Sequence, residues 1–310
     1  MSLGYYPGCS LHGTAREFDE SMRAVTDALD IEMTEIDNWS CCGASSAHSA
    51  SHLLGVALAA RNLALAEAEG RDAVVAPCAA CFSRLATARH ELLENEELAA
   101  SLPDILERPF ENTVEVLNVV QLLLEYDERI RERVAQSPVF SAVGQMKVAA
   151  YYGCLLVRPV GVAGADDIEV PTTMEQVATA CGAQPVTWNM AVECCGGSLS
   201  MSRTSSVVRL GRAIIDDARR AGADALLVAC PMCHANLDFR QVARTEDGDA
   251  LPVLYLTQLV GLALGIDPET LGMHRHFVDT SPLMAELAER AKAAEAAATA
   301  KASARNGSVV

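Results

Sequence analysis

The chain has 310 residues, half of them apolar and few aromatic, so aliphatic side chains and alanine must build its interior, and the length suffices for two ordinary cores. The formal net charge is −17 and the only lysines are Lys147, Lys292 and Lys301, which leaves no basic stripe for phosphates and argues against nucleic acid. No apolar run approaches the roughly 18 residues needed to cross a bilayer, and the opening Met-Ser-Leu-Gly-Tyr-Tyr has neither a basic segment nor a signal-peptide core. The expectation is therefore a cytoplasmic chain, at most peripheral to a membrane complex, with cysteines reduced or metal-bound.

In chain order, residues of strand character lead into Tyr5-Tyr6-Pro7-Gly8-Cys9. After 31 residues comes Cys41-Cys42-Gly43, with Trp39 shortly before it. Residues 52–69 carry apolar positions at helical spacing and stop at Gly70. Asp72-Ala73-Val74-Val75-Ala76-Pro77 then reads as a buried parallel strand that delivers Cys78-Ala79-Ala80-Cys81 to the start of another helix. The connection from 84 to 146 reads as helical, with 137–147 as a linker.

The series then repeats. Tyr151-Tyr152-Gly153-Cys154 is followed after 39 residues by Cys194-Cys195-Gly196, with Trp188 ahead of the pair. Helical spacing over 206–221 stops at Gly222, and Asp224-Ala225-Leu226-Leu227-Val228-Ala229 leads to Cys230-Pro231-Met232-Cys233. Leu117 to Leu122 matches Leu254 to Leu259, pairing Gln121 with Gln258. From about residue 284 the chain is rich in Ala, Glu and Lys and is predicted to begin as a helix and fray. The alternation implies an α/β fold of two pseudo-symmetric repeats, each a small, mostly parallel sheet with flanking helices. The predicted domains are 1–145 and 146–283, followed by a tail, 284–310. Ligands of open α/β sheets gather beyond the carboxyl ends of strands, so the three cysteine elements of each repeat can converge on one sheet edge.

Five thiols per repeat exceed what one tetrahedral zinc ion uses, and adjacent thiolates strain the backbone on a single small ion. Cys230-Pro231-Met232-Cys233 has the context of a redox dithiol, yet Cys78-Ala79-Ala80-Cys81 holds the same place in the other repeat, and a dithiol needs none of the other eight. Iron–sulfur ligation takes four thiolates per cluster. Either one cysteine per repeat is free, or the cluster is not a simple cubane. Cys181 has no counterpart, since Ala28 and Leu29 occupy the matching region, and reads as a small buried hydrophobe. Pro7 and Pro231 are candidates for cis-type turns beside ligands, and Gly8, Gly43, Gly153, Gly196 and Gly197 for close backbone approach to sulfur. No Gly-x-Gly-x-x-Gly opens a helix after a strand, which argues against flavin or nicotinamide binding.

The duplicated Cys-Cys-Gly and Cys-x-x-Cys arrangement resembles the CCG cysteine-rich domain family. With the opening Tyr-Tyr-Pro-Gly-Cys-Ser-Leu-His-Gly-Thr-Ala, it is similar to the B-type subunits of heterodisulfide reductases from residue 4 to about residue 270. The resemblance implies two non-cubane 4Fe–4S clusters with five cysteines each. Cys9, Cys41, Cys42, Cys78 and Cys81 would bind one, and Cys154, Cys194, Cys195, Cys230 and Cys233 the other. It further implies a catalytic thiol–disulfide oxidoreductase component whose small-molecule or carrier-bound substrate is cleaved or formed between the clusters. A ferredoxin-like C-type subunit and a flavoprotein A-type subunit of the same complex would be its partners. His12 and His234, close in sequence to Cys9 and Cys233, are the candidate proton donors, while His48 and His52 fit a helix start equally well. The alternative is a non-catalytic electron-relay component of a respiratory or sulfur-oxidising complex. A structural zinc module is the third reading.

Overall fold

The computed structural model describes residues 1–44, 46–137, 139–242 and 250–307. The first half runs β1 (Leu3–Tyr5), α1 (Gly8–His12), α2 (Arg16–Ala28), β2 (Met33–Glu35), α3 (Ala47–Ala50), α4 (His52–Ala68), β3 (Ala73–Val75), α5 (Ala79–Glu94), α6 (Glu96–Leu106), β4 (Glu115–Leu117), α7 (Val119–Glu125) and α8 (Asp127–Ala135). A short helix, α9 (Phe140–Val143), lies in the expected linker. The second half then runs β5 (Lys147–Tyr151), α10 (Thr173–Ala180), β6 (Gln184–Pro185), α11 (Thr204–Arg220), β7 (Ala225–Val228), α12 (Pro231–Leu237), α13 (Phe239–Val242), β8 (Val253–Tyr255) and α14 (Leu256–Leu264). The last helix, α15 (Ser281–Gly307), carries the tail, and residues 308–310 of the expected frayed end lie outside the described residues.

Each half is a four-stranded parallel sheet, ordered β2-β1-β3-β4 and β6-β5-β7-β8. The central strands β3 and β7 are apolar and buried throughout, as sheets covered by helices on both faces require. Tyr5 pairs with Val75 and Tyr151 with Val228, so the chain leaves both central strands of a sheet at the same edge.

Helices α4 and α11, expected from their spacing, are closed by the same device. Gly70 and Gly222 adopt φ of +70° and +79°. Around them Arg71 N donates to Ala66 O at 3.0 Å and Gly70 N to Glu67 O at 3.0 Å, with Ala223 N to Ala218 O and Gly222 N to Arg219 O repeating the pattern. These are Schellman closures, and each turns the chain directly into a central strand.

The stretch 84–146 is not wholly helical. It contains β4, which pairs in register with β3 from Ala73↔Glu115 to Val75↔Leu117. Three residues are too few for a periodicity to declare itself. The matched glutamines explain the similarity of the segments that follow β4 and β8. Gln121 Oε1 accepts from Asn118 N and Gln258 Oε1 from Tyr255 N, each at 2.9 Å, to start α7 and α14.

The halves exchange packing. Helix α2 of the first lies on α14 of the second, and α10 of the second lies on α7 and α8 of the first. Phe18 stacks on Tyr255 with ring centroids 4.1 Å apart, and Ser21 Oγ meets Thr257 Oγ1 at 2.7 Å in the buried seam. The buried side chains of the two halves form one continuous cluster.

Candidate metal centre

In a sheet ordered β2-β1-β3-β4 the connections diverge between β1 and β3, and the crevice beyond their carboxyl ends is the natural binding site. Cys9 enters it from α1, Cys78 from the N-cap of α5, Cys81 from the first turn of α5, and Cys41 and Cys42 from the loop after β2. Cys154, Cys230, Cys233 and the Cys194-Cys195 loop occupy the corresponding places beyond β5, β7 and β6.

The sulfurs converge. Cys42 Sγ lies 3.4 Å from Cys81 Sγ, Cys195 Sγ 3.4 Å from Cys233 Sγ, and Cys154 Sγ 3.9 Å from Cys194 Sγ. Cys9 contacts Cys41, Cys81 contacts Cys78, and Cys233 contacts Cys230. Across the seam between halves, Cys78 and Cys230 lie near enough that each shifts the other, Cys78 upward and Cys230 downward. The ten thiols thus form one array, linked in the middle by Cys78 and Cys230. Its middle is buried, whereas Cys9, Cys41 and Cys194 are exposed and Cys154 is half-buried. None of them forms a disulfide.

Shared hydrogen bonds push the paired thiols in opposite directions. The bond with Cys81 draws Cys42 down to about 7, helped by the charge of Arg84, and the bond with Cys154 draws Cys194 down to about 6. Cys195 is lowered by Cys233, and Cys230 by Cys233 and Cys78. Cys81, Cys154 and Cys233 move up as the proton-holding partners. Thiolate is the metal-binding form, so the array is partly primed near neutral pH.

Backbone and aromatic groups fix the loops around it. Gly43 N and Gly196 N donate to Cys41 Sγ and Cys194 Sγ at 3.5 and 3.3 Å. A Cβ at Gly8 would stand 2.9 Å from Cys81 Sγ, and one at Gly153 3.3 Å from Cys233 Sγ, and both residues have positive φ, so only glycine leaves room for the sulfur. Tyr6 OH donates to Ser40 O at 2.7 Å and Tyr151 OH to Glu193 O at 2.6 Å, each holding the carbonyl just before a Cys-Cys pair. The structural equivalents are therefore Tyr6 and Tyr151, three residues before Cys9 and Cys154. The tryptophans complete each clasp: Trp39 packs edge-on to Tyr6 at 5.5 Å, and Trp188 is tilted against Tyr151 at 6.1 Å. Pro7 and Pro231 are trans and serve helix starts; the cis peptide among the described residues precedes Pro159.

The histidines separate by position. His12 Nε2 pairs with Glu35 Oε1 at 3.2 Å, its ring lies against Trp39, and its side chain is 46% exposed at the rim of the first set. His234 is buried, donates Nε2–H to Val253 O at 3.1 Å and stacks on Tyr255, and burial depresses its pKa well below the ordinary value. His48 and His52 lie on exposed helix starts, the latter paired with Glu91 at 2.7 Å. Cys181 is buried at the C-cap of α10, equivalent to Leu29 at that of α2, with its pKa raised by burial.

Sequence reasoning missed Asp238 and His276, which gather round His234 with ligand atoms within 4.8 Å of one another. That trio is a poor metal site. Gln258, whose Oε1 is committed to Tyr255 N, donates Nε2 to Leu271 O at 3.0 Å and to His276 Nε2 at 2.8 Å, so the His276 proton sits on Nδ1. Only His234 Nδ1 and Asp238 then retain free lone pairs. Asp238 instead accepts from Phe277 N and Val278 N and ties that segment to α12.

The donor set suits iron and sulfur. It is five soft thiolates per half, more than one tetrahedral ion accepts, with glycine cradles at the sulfurs and amide N–H groups aimed at them. Comparison with known proteins agrees. The CCG cysteine-rich domain profile matches residues 3–86 and 148–238, two segments that each begin at a central strand and contain five of the ten thiols. The chain is 32% identical to the 8-methylmenaquinol:fumarate reductase membrane anchor subunit of Wolinella succinogenes, over 91% of this chain and 98% of that one. It is 28% identical to the B-type subunit of the ferredoxin:CoB-CoM heterodisulfide reductase of Methanosarcina mazei (93% and 97% covered). It is 29% identical to a protein of Archaeoglobus profundus named as similar to the same B-type subunit (87% and 92%). A crystal structure of a hypothetical protein from Helicobacter pylori has the same fold, with a TM-score of 0.67 and 15% identity over 89% of this chain, which spans about half (51%) of that longer one. With two matched copies across more than half its length and all ten repeated thiols inside them, the chain belongs to the CCG cysteine-rich domain family.

Proposed function

We propose that this chain is an iron–sulfur component of a multi-subunit oxidoreductase, with a disulfide reduced or formed between two non-cubane 4Fe–4S centres. Cys9, Cys41, Cys42, Cys78 and Cys81 would hold one, and Cys154, Cys194, Cys195, Cys230 and Cys233 the other. The observation that carries the proposal is the convergence of the ten thiols beyond the strand ends of both halves, with close sulfur pairs in each set (Cys42–Cys81 and Cys195–Cys233, both 3.4 Å) and with Cys78 and Cys230 shifting each other's pKa across the pseudo-twofold seam. The relatives named for heterodisulfide reductase support the same chemistry.

When bound, such groups store and pass single electrons, and two of them match the two electrons that reduce one disulfide. The chain's own residues supply the rest. The glycine cradles and the Tyr6 and Tyr151 clasps hold the thiolates in place. The exposed Cys9, Cys41 and Cys194 mark the side from which a substrate approaches. Cleaving a disulfide to two thiols also takes up two protons. His12, paired with Glu35 at the rim, is placed to supply one, whereas the Nε2–H of His234 is committed to Val253 O. A ferredoxin-like protein and a flavoprotein are the partners this chemistry needs.

A second reading, electron relay in a quinol-linked complex, is favoured by the similarity to the fumarate reductase membrane anchor. Among the described residues no helix is long and apolar enough to cross a membrane, so an anchoring role would be peripheral or made through a partner.

The test is iron, sulfide and zinc analysis of anaerobically purified protein, followed by mixing the reduced protein with a small mixed disulfide and counting released thiols. About eight irons per chain with two thiols per disulfide support the proposal. The same iron with no thiol release, but reoxidation by a quinone, selects the relay. Zinc without iron overturns both.

A further inference from the structure

The two thiol sets are equivalent by repeat but differ in what faces them. In each, the second cysteine of the Cys-Cys pair touches the second cysteine of Cys-x-x-Cys, Cys42 with Cys81 and Cys195 with Cys233, both at 3.4 Å. One turn further along the helix, three residues beyond that cysteine, the chain carries Arg84 in the first half and Asn236 in the second.

Asn236 is buried and fully engaged. Its Nδ2 faces Cys195 Sγ at 3.6 Å and Cys195 O at 3.4 Å, while its Oδ1 accepts from Ser200 Oγ and Arg240 Nε, each at 3.0 Å. Arg240 stands on the far side of Asn236, its other contact being Ser200 O at 2.9 Å. Arg84 is half-buried and makes no hydrogen bond or ion pair with any described residue, and its charge acts on Cys42. Arg84 stands one helical turn from Cys81 with no protein acceptor among the described residues, so it is a fixed positive charge beside the first thiol set, where Asn236 is a neutral amide beside the second.

Reduction of a thiolate-bound iron centre adds negative charge. A fixed cation stabilises that added charge more than a neutral amide N–H does, and surrounding charge and hydrogen bonds to sulfur are what set such potentials. We propose that Arg84 and Asn236, at one repeat position, hold the two centres at different potentials, the first half the higher, so that an electron passes from the second centre to the first and a single electron shared between them rests on the first. The inference rests on the iron–sulfur reading above and adds a direction to it.

The test is a redox titration followed by electron paramagnetic resonance on the anaerobic full-length protein, with iron and sulfide measured on every sample. Wild type should show two distinct midpoints. Arg84→Asn should move the higher one toward the lower, changing the electron's distribution about tenfold, or about 59 mV for one electron, without loss of iron. Arg84→Lys keeps the charge and should leave it in place. Asn236→Arg should raise the lower midpoint. Full iron content with midpoints that ignore Arg84→Asn, or an Arg84→Lys variant that behaves like Arg84→Asn, would overturn the inference alone. Protein without iron would overturn the iron–sulfur reading beneath it.

Discussion

Tyr6 and Tyr151 do structural work that their chemistry predicts. Both are buried, and each gives its hydroxyl to the carbonyl that precedes a Cys-Cys pair. Removing one hydroxyl leaves a carbonyl without its partner, at a cost of about 1–3 kcal/mol. Tyr6→Phe should therefore lower stability by that order and loosen metal retention in the first half alone; Tyr151→Phe should do so in the second. Chelator-challenged iron loss, resolved by half through the two midpoints, checks this, and equal loss from both halves would refute it. His276 offers a pH test. Burial lowers its pKa from 6.5 to about 4, so the folded state binds fewer protons than the unfolded state between those values. Its contribution to stability is present above pH 6.5 and is lost as pH falls toward 4. Between about pH 7.5 and 5.5 that loss is about 1.4 kcal/mol, and His276→Gln should lack it. The buried Asp238, raised to about 6, slopes the opposite way but is common to both proteins and cancels in the comparison. Urea midpoints at the two pH values measure the difference.

The elements divide into those whose signal is local and those whose signal is not. Helices α4 and α11 were legible because an apolar stretch, one-sided in α11 and all round in α4, runs into a glycine in the conformation that closes it. The ten thiols were legible because their spacing repeats, and five per repeat restrict the chemistry regardless of fold. The strand β4 was not, because three residues with only Leu117 buried show no alternation. Nor was the grouping of Asp238 and His276 with His234, which needs the chain after α14 to return to α12. The exchange of α2 onto α14 was equally hidden, since the sequence shows that Phe18, Met22 and Val25 share an apolar stripe but not which helix covers it. Phe18 is the sharpest probe of that contact. Phe18→Ala should cost about 3–5 kcal/mol by opening a cavity against Tyr255, read as a fall in the urea midpoint at unchanged slope.

At the scale of the whole molecule, the reciprocal packing makes the two halves interdependent. A chain of this length ordinarily unfolds in separate domain steps when its interfaces are small and polar. Here the seam holds the stacked Phe18 and Tyr255, the buried Ser21–Thr257 bond and the linked Cys78 and Cys230, and one apolar cluster runs through both halves. The chain has two tryptophans, one in each half, and each packs on the tyrosine that clasps its own thiol loop. Trp39→Phe and Trp188→Phe therefore give proteins whose fluorescence reports one half at a time. With equal metal content, both reporters should lose their signal at one urea midpoint. Residues 1–145 or 146–307 expressed alone should lack a cooperative transition, because each leaves α2 or α10 without the helix that covers it. Two resolved midpoints, or a half that melts cooperatively by itself, would mean that the seam is a docking surface between independent domains. A single midpoint would mean that folding itself holds Cys78 beside Cys230, so the seam between the two thiol sets cannot open without unfolding both halves.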